Sequence, residues 1–206
     1  MNVIKKLTDE EYNNLYVTSD THFGHKQEFI YAARGYTSPQ EMNEDMICSI
    51  NKTVGENGIL LHLGDFCLNT TREEYINIMR RIRVKEVWMI WGNHNNPIQQ
   101  SFGGTVQQVA ASHGGTFVKF FDHYLTLRHK KNFYVCFHFP MAVFDGMSQG
   151  AMHLCGHSHG NYQLSRPEDL THKILDCGWD VHRRPLSMSE INNIMAHKGV
   201  NTKHHA

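Results

Sequence analysis

Five apolar segments of this chain break off at glycine, aspartate, asparagine or histidine, and that recurrence constrains the fold most. Leu60-Leu61-His62-Leu63 stops at Gly64-Asp65. Leu15-Tyr16-Val17-Thr18-Ser19 stops at Asp20, and Val84 to Trp91 stops at Gly92-Asn93-His94. Phe133 to Phe137 stops at His138, and Met152 to Cys155 at Gly156-His157. Short apolar runs bounded by turn residues read as buried strands. A strand that ends in Gly-Asp puts its carboxylate at the carboxyl edge of a sheet, where open α/β folds keep their ligands.

Helical segments alternate with strands in the first half. A short helix is expected over Gln27 to Ala33. Ser38-Pro39-Gln40-Glu41 reads as a capping box with Pro at the first helical position. The helix that follows runs to about Val54, with Met42, Met46, Ile50 and Val54 on one face. Thr71-Arg72-Glu73-Glu74 opens another, made amphipathic by Tyr75, Ile78, Met79 and Ile82. Strand, helix, strand, helix, strand implies βαβ units and parallel strands. The second half reads as hairpins: strands over Thr116 to Asp122, Tyr124 to His129, Phe133 to Phe137, Met152 to Cys155 and Lys173 to Cys177, with residues 141–150 as loop. Ser187-Met188-Ser189-Glu190 caps a last helix that ends near Lys198-Gly199. A mixed or antiparallel second sheet, packed face to face on the first, is the expected assembly.

The 206 residues suit one domain, 1–206, with no repeat or linker. The tail, 200–206, is expected to fray. Twenty basic and twenty acidic residues leave a formal charge of zero. That weighs against an extended nucleic-acid partner or an anionic membrane. No apolar run reaches the length of a membrane span, and Met1 to Glu11 is too polar for a signal peptide, so a cytoplasmic protein is expected. The five cysteines form no C-x-x-C pair and read as reduced, packed thiols.

The strand ends collect Asp20-x-His22, Asp65, Asn93-His94, His138 and His157-x-His159. Residues two apart in a strand or tight loop point the same way. Asp20 with His22, and His157 with His159, can therefore serve one metal or two. Carboxylate oxygen with imidazole nitrogen suits Mn, Fe, Zn, Ni or Co better than Ca or Mg. Any one of these residues alone reads as a turn or surface residue; five strand ends together do not.

The order Asp20-Thr21-His22, Gly64-Asp65, Gly92-Asn93-His94, His138 and Gly156-His157-Ser158-His159 resembles the calcineurin-like metallophosphoesterases, over about residues 14–182. The resemblance implies a four-layer αββα sandwich of two mixed sheets flanked by helices. It implies two divalent transition metal ions, Mn foremost. Asp20, His22 and His159 would hold one ion; Asn93, His138 and His157 would hold the other; Asp65 would bridge them. His94 would face the substrate as general acid. The implied activity is hydrolysis of a phosphomonoester or phosphodiester, small and nucleotide-like, by a bridging hydroxide. A nuclease on the same site, or a metal-bound interaction module without activity, are the alternatives. Two positions depart from the family pattern: Leu68 stands where some members carry an acidic residue, and Asn95 where many do.

His25 and Arg34 lie near the first ligand loop and are candidates for touching a substrate phosphate. Phe23, Phe139 and Phe144 are candidates for stacking on a flat group, with core packing as the competing role. Trp179 is a candidate for the pocket edge. The segment from Asp176 to His182 reads as structural support.

Overall fold

A computed structural model of the chain describes residues 4–94, 110–113, 116–162 and 172–202. Asn95 and the last four residues of the tail lie outside them. Eleven strands and six α-helices are described. In chain order they are β1 (Ile4–Lys6), α1 (Asp9–Asn14), β2 (Leu15–Thr18), α2 (Glu28–Tyr31), α3 (Pro39–Val54), β3 (Ile59–His62), α4 (Arg72–Arg81) and β4 (Glu86–Met89). Then come β5 (Ala110–His113), β6 (Thr116–Phe120), β7 (Tyr124–His129), β8 (Asn132–Phe137), β9 (Met152–Cys155) and β10 (Ile174–Asp176). The chain closes with α5 (Trp179–His182), β11 (Leu186–Ser187) and α6 (Met188–Ala196).

Two mixed sheets make an α/β fold. One has the order β11-β2-β3-β4-β6-β5, the other β1-β7-β8-β9-β10. In the first, β2, β3, β4 and β6 run parallel, each to the next, with antiparallel β11 and β5 at the edges. Because parallel neighbours share a direction, Asp20, Asp65 and Asn93 leave the sheet at the same edge.

Period-two alternation assigns the faces. Leu15, Val17, Ile59, Leu61, Trp88 and Ile90 point inward, against Leu125, Leu127, Tyr134, Cys136 and Leu154 of the second sheet. Leu60, Val87 and Met89 point outward, under Met42, Met46 and Ile50 of α3 and Tyr75 and Met79 of α4. Thr71 with Glu74 makes the expected reciprocal capping box, whereas at α3 only half of it forms: Ser38 Oγ accepts from Glu41 N, but the Glu41 carboxylate accepts from Thr37 N and Oγ1. Gly55, at φ +71°, ends α3. The outer face of the second sheet is covered more thinly. Phe144, Met147 and Ala151, from the segment 141–151 with one 3₁₀ turn, pack on Val135, Cys155 and Ile174.

The second half is less hairpin-rich than its pattern suggests. β7 and β8 form a hairpin, but β8, β9 and β10 are parallel, as are β1 and β7. The reason is chain length: residues 138–151 between β8 and β9 are long enough to cross back over the sheet. Four of the five cysteines are buried, only Cys48 is exposed, and all are free thiols. Among the described residues no helix is long and apolar enough to cross a membrane.

Candidate metal centre

The loops after β2 and β3 leave the sheet side by side and stay hydrogen-bonded. Asp20 N donates to Gly64 O at 3.1 Å, His22 N to Asp65 O at 3.0 Å, and Phe23 N to Phe66 O at 2.8 Å. His62, fully buried on β3, braces this pair. Thr21 Oγ1 donates to Phe66 O, so it accepts from His62 Nε2 at 3.0 Å.

Each carboxylate then divides its two oxygens. Asp20 Oδ2 accepts from His157 N at 2.9 Å, and Asp65 Oδ1 accepts from His94 N at 2.9 Å. The other oxygens face imidazoles. Asp20 Oδ1 lies 3.8 Å from His22 Nε2 and 4.0 Å from His159 Nε2. Asp65 Oδ2 lies 3.9 Å from His22 Nε2 and 3.3 Å from His138 Nε2. Two clusters result, Asp20–His22–His159 and Asp65–His138–His157, with the Asp65 carboxylate facing both. Asn93 Oδ1 joins the second, 2.9 Å from His138 Nε2 and 3.1 Å from His157 Nδ1.

The backbone is bent to achieve this. Asp20, His22, Asp65, His157 and His159 all have φ between 49° and 68°, a region L-residues enter at a cost. Two glycines permit the close approach. A Cβ on Gly156 would overlap Ser19 Oγ and Asp20 Oδ2, and one on Gly92 would overlap Asp65 Oδ1.

The donor set fits divalent cations. His138 Nδ1 faces Leu63 O at 3.0 Å, and a carbonyl only accepts, so Nδ1 carries the proton. In the neutral ring Nε2 is then a lone pair aimed at the oxygens of Asp65 and Asn93. Lone pairs converging on one another need a cation or a proton between them. Burial lowers the proton affinity of His138, but the Asp65 carboxylate beside it, with Asp20 and the Leu63 carbonyl, raises it above the ordinary value. Burial alone would raise Asp65, but His138 and the His94 amide pull it to about 2. The first cluster has the same character. Asp20 Oδ1 is buried without a hydrogen-bond partner among the described residues. Burial pushes His22 down to about 3 and Asp20 up, so His22 is a neutral donor. Unpaired buried acceptors are costly unless something binds them.

All seven expected ligands converge at this one edge, and His94 stands beside them. Its ring is exposed and meets that of His22 edge-on at 5.7 Å. His25 is buried, its ring 6.2 Å from that of His22, and its Nδ1 accepts from Gln27 N. Arg34 has a different place from the one expected. Its guanidinium is buried and donates to both oxygens of Asp180, to Thr21 O and Asp20 O at 2.8 Å, and weakly to Met42 Sδ. Every N–H is used inside the protein, which leaves none for a substrate phosphate. Phe23 and Trp179 are fully buried core residues, and Phe144 packs under the second sheet. Of the aromatic candidates only Phe139 reaches the site, its ring 4.4 Å from that of His157.

Two residues of the segment expected to be structural support, Asp176 and Asp180, bear directly on the site. Asp176 Oδ2 accepts from Ser158 Oγ at 2.9 Å and Gly160 N at 3.0 Å, holding the loop that carries His157 and His159. Asp180 Oδ2 lies 2.6 Å from His159 Nδ1. Burial would raise Asp180, yet His159 and Arg34 hold it well below the usual carboxylate range. Neither residue sits in a local motif, so no pattern of spacing marks them.

No family model matches the chain. An uncharacterized protein of Methanocaldococcus jannaschii is 31% identical over 81 residues, which is 39% of this chain and 46% of that protein, so the chain spans under half of its length. A protein of unknown function from Aquifex aeolicus shares the fold. It aligns with a TM-score of 0.61 at 18% identity, over 87% of this chain and 98% of its own. A distant structural neighbour is a phosphoesterase, YfcE of E. coli, at TM-score 0.40 and 12% identity over 70% of this chain and 69% of its own. A likeness that faint carries no functional assignment.

Proposed function

We propose that this protein is a dinuclear metal-dependent phosphoesterase acting on a small phosphomonoester or phosphodiester, nucleotide-like in size. The observation that carries the reading is the paired cluster: Asp20 with His22 and His159, Asp65 with His138 and His157, and the Asp65 carboxylate facing both. Asp20, His22 and His159 would hold one ion, and Asn93, His138 and His157 the other, with Asp65 shared. The oxygen–nitrogen donor set favours Mn, Fe, Zn, Ni or Co.

Two such ions supply Lewis acidity to phosphate oxygens and make water more acidic. The chain's own residues do the rest. Asp65 fixes the spacing between clusters, because its second oxygen is tied to the His94 amide. That same bond fixes the backbone of His94, so its exposed ring is available to give a proton to the leaving oxygen. Neutral Asn93 adds an oxygen to the second cluster without adding charge. Asn93, His94 and His157 are exposed, which lets a phosphate ester enter from solvent. The zero net charge favours a small ester over an extended nucleic acid.

The test joins metal content with turnover. Purified protein should retain two ions per chain and hydrolyse an aryl phosphate monoester or diester with Mn²⁺. Asp65→Ala should lose bound metal and activity together. Two tightly bound ions with no hydrolysis of either ester would replace the enzyme by a metal-bound interaction module. No bound metal would overturn the reading.

A further inference from the structure

The two clusters are alike in donors but not in what stands behind them. In the Asp20 cluster, His159 Nδ1 meets a carboxylate, Asp180 Oδ2, at 2.6 Å. Asp180 is itself gripped by Arg34, Nε to Oδ1 at 2.9 Å and Nη2 to Oδ2 at 2.8 Å. The same guanidinium donates to the carbonyls of Asp20 and Thr21. One buried side chain therefore ties the loop that carries Asp20 and His22 to the carboxylate that orients His159. All three donors of this cluster are connected through Arg34.

The Asp65 cluster has a neutral support: His138 Nδ1 donates to the Leu63 carbonyl. His157 and Asn93 are exposed, whereas Asp20 and His22 are buried.

We propose that Arg34 and Asp180 are positioning residues that make Asp20–His22–His159 the tighter of the two metal sites, the one filled first. The inference rests on the proposed metal centre. Its chemistry is general. A carboxylate on the far nitrogen of an imidazole fixes the tautomer, stops the ring from turning and makes the near nitrogen more basic. A carbonyl partner does the first two but contributes less to the third, because it carries no net charge. Fixing the ring in advance also removes an ordering cost from binding.

The experiment is a stepwise Mn²⁺ or Zn²⁺ titration of the metal-free full chain, read by calorimetry against a competing chelator. Wild type should show two classes of site. Asp180→Asn keeps the shape but not the charge. It should weaken the tighter class by about 10–100-fold and leave the weaker class within about twofold. Arg34→Lys keeps the charge but loses the fork, and should weaken the same class; it stands in if Asp180→Asn does not fold. Asp180→Glu should recover part of the affinity. In a His159→Ala background, Asp180→Asn should weaken the class by less than it does in wild type, because only the hold of Arg34 on the Asp20 loop is left to lose. A merely structural ion pair predicts instead an equal loss at both sites with a lower unfolding temperature of the metal-free protein, and that outcome overturns the proposal. So does an unchanged tighter class. Two ions in wild type with no effect of Asp180→Asn would sink this inference alone; no ion in wild type would sink the proposed function as well.

Discussion

The two sheets are covered differently on their outer faces, yet each supplies part of both candidate clusters. The sheet containing β2, β3 and β4 lies under α3 and α4, and buries Met42, Met46, Ile50, Tyr75 and Met79 completely. Among the described residues, the sheet containing β8 and β9 lies under a loop segment, with Phe144, Met147 and Ala151 as its cover. From the first come Asp20, His22, Asp65 and Asn93; from the second come His138, His157 and His159. Neither sheet alone completes a cluster. The candidate site is therefore a property of the contact between sheets, and a thin cover on one of them bears on the site as much as on stability.

Truncating one methionine in each cover would test how unequal the two are. Met46 is fully buried between α3 and the first sheet, and Met147 is 6% exposed beneath the loop. Met46→Ala should destabilise by about 2–5 kcal/mol, the usual cost of emptying a fixed core site. Met147→Ala should fall below that, at roughly 1–2 kcal/mol, because a loop collapses onto a void more easily than a helix pinned at both ends. Urea unfolding of both variants decides it. Equal losses would mean that the loop is as fixed a layer as the helices, and the contrast between the sheets would disappear.

The junction itself gives the next largest effect. Gly156 follows β9 and lies against Ser19 and Asp20, which follow β2. Gly156→Ala drives a methyl group into both, which should cost about 1–3 kcal/mol and displace Asp20 from its cluster. Gly160 is the control in the same loop. At φ +83°, with Val181 Cγ2 at 3.4 Å as its nearest neighbour, it has room for a methyl and should lose only the backbone preference, about 1 kcal/mol. Metal uptake separates them: Gly156→Ala should lose affinity at the Asp20 cluster, and Gly160→Ala should keep it. Indistinguishable uptake would show that the sheets can separate slightly without cost to the site.

What the sequence made legible follows the same division. α3 occupies Pro39–Val54, with the expected face buried, because a cap, a proline and four apolar residues at helical spacing all agree. The residues of the candidate site were brought to attention because each follows an apolar strand that announces its own end. β1 was not: Ile4-Lys5-Lys6 is a half-exposed edge strand, and its partner β7 is far away in sequence. α1 begins with a reciprocal capping box at Thr8 and Glu11, but it buries no residue, so no apolar stripe drew attention to it. β11 is two residues long and exists by pairing with β2. Arg34 shows the limit at the site. Its charge and position near the first ligand loop suggested a phosphate, and only the tertiary fold brings Asp180 from the far end of the chain to claim it.

The smallest effect concerns the element that touches both sheets. α6 sends Met188, Ile191 and Met195 into the core between them. Its first turn is held by Glu190. Oε1 accepts from Arg184 Nη2 at 2.5 Å, and Oε2 accepts from Ser187 N at 2.9 Å and Ser187 Oγ at 2.8 Å. The bond from Arg184, foremost, pulls the carboxyl from an ordinary value of 4.5 down to about 2. A group depressed on folding stabilises at pH above its unfolded value and loses that contribution as pH falls through its folded value. The capping contribution is then whole above about pH 4.5 and gone near pH 2. Glu190 is 39% exposed, so solvent screening keeps it below about 1 kcal/mol. The difference in unfolding free energy between wild type and Glu190→Gln, followed by urea melts at stepped pH, should shrink across that window. A difference that stays constant from neutral pH to pH 2 would show that the charge plays no part, and that α6 is held against both sheets by its apolar face alone.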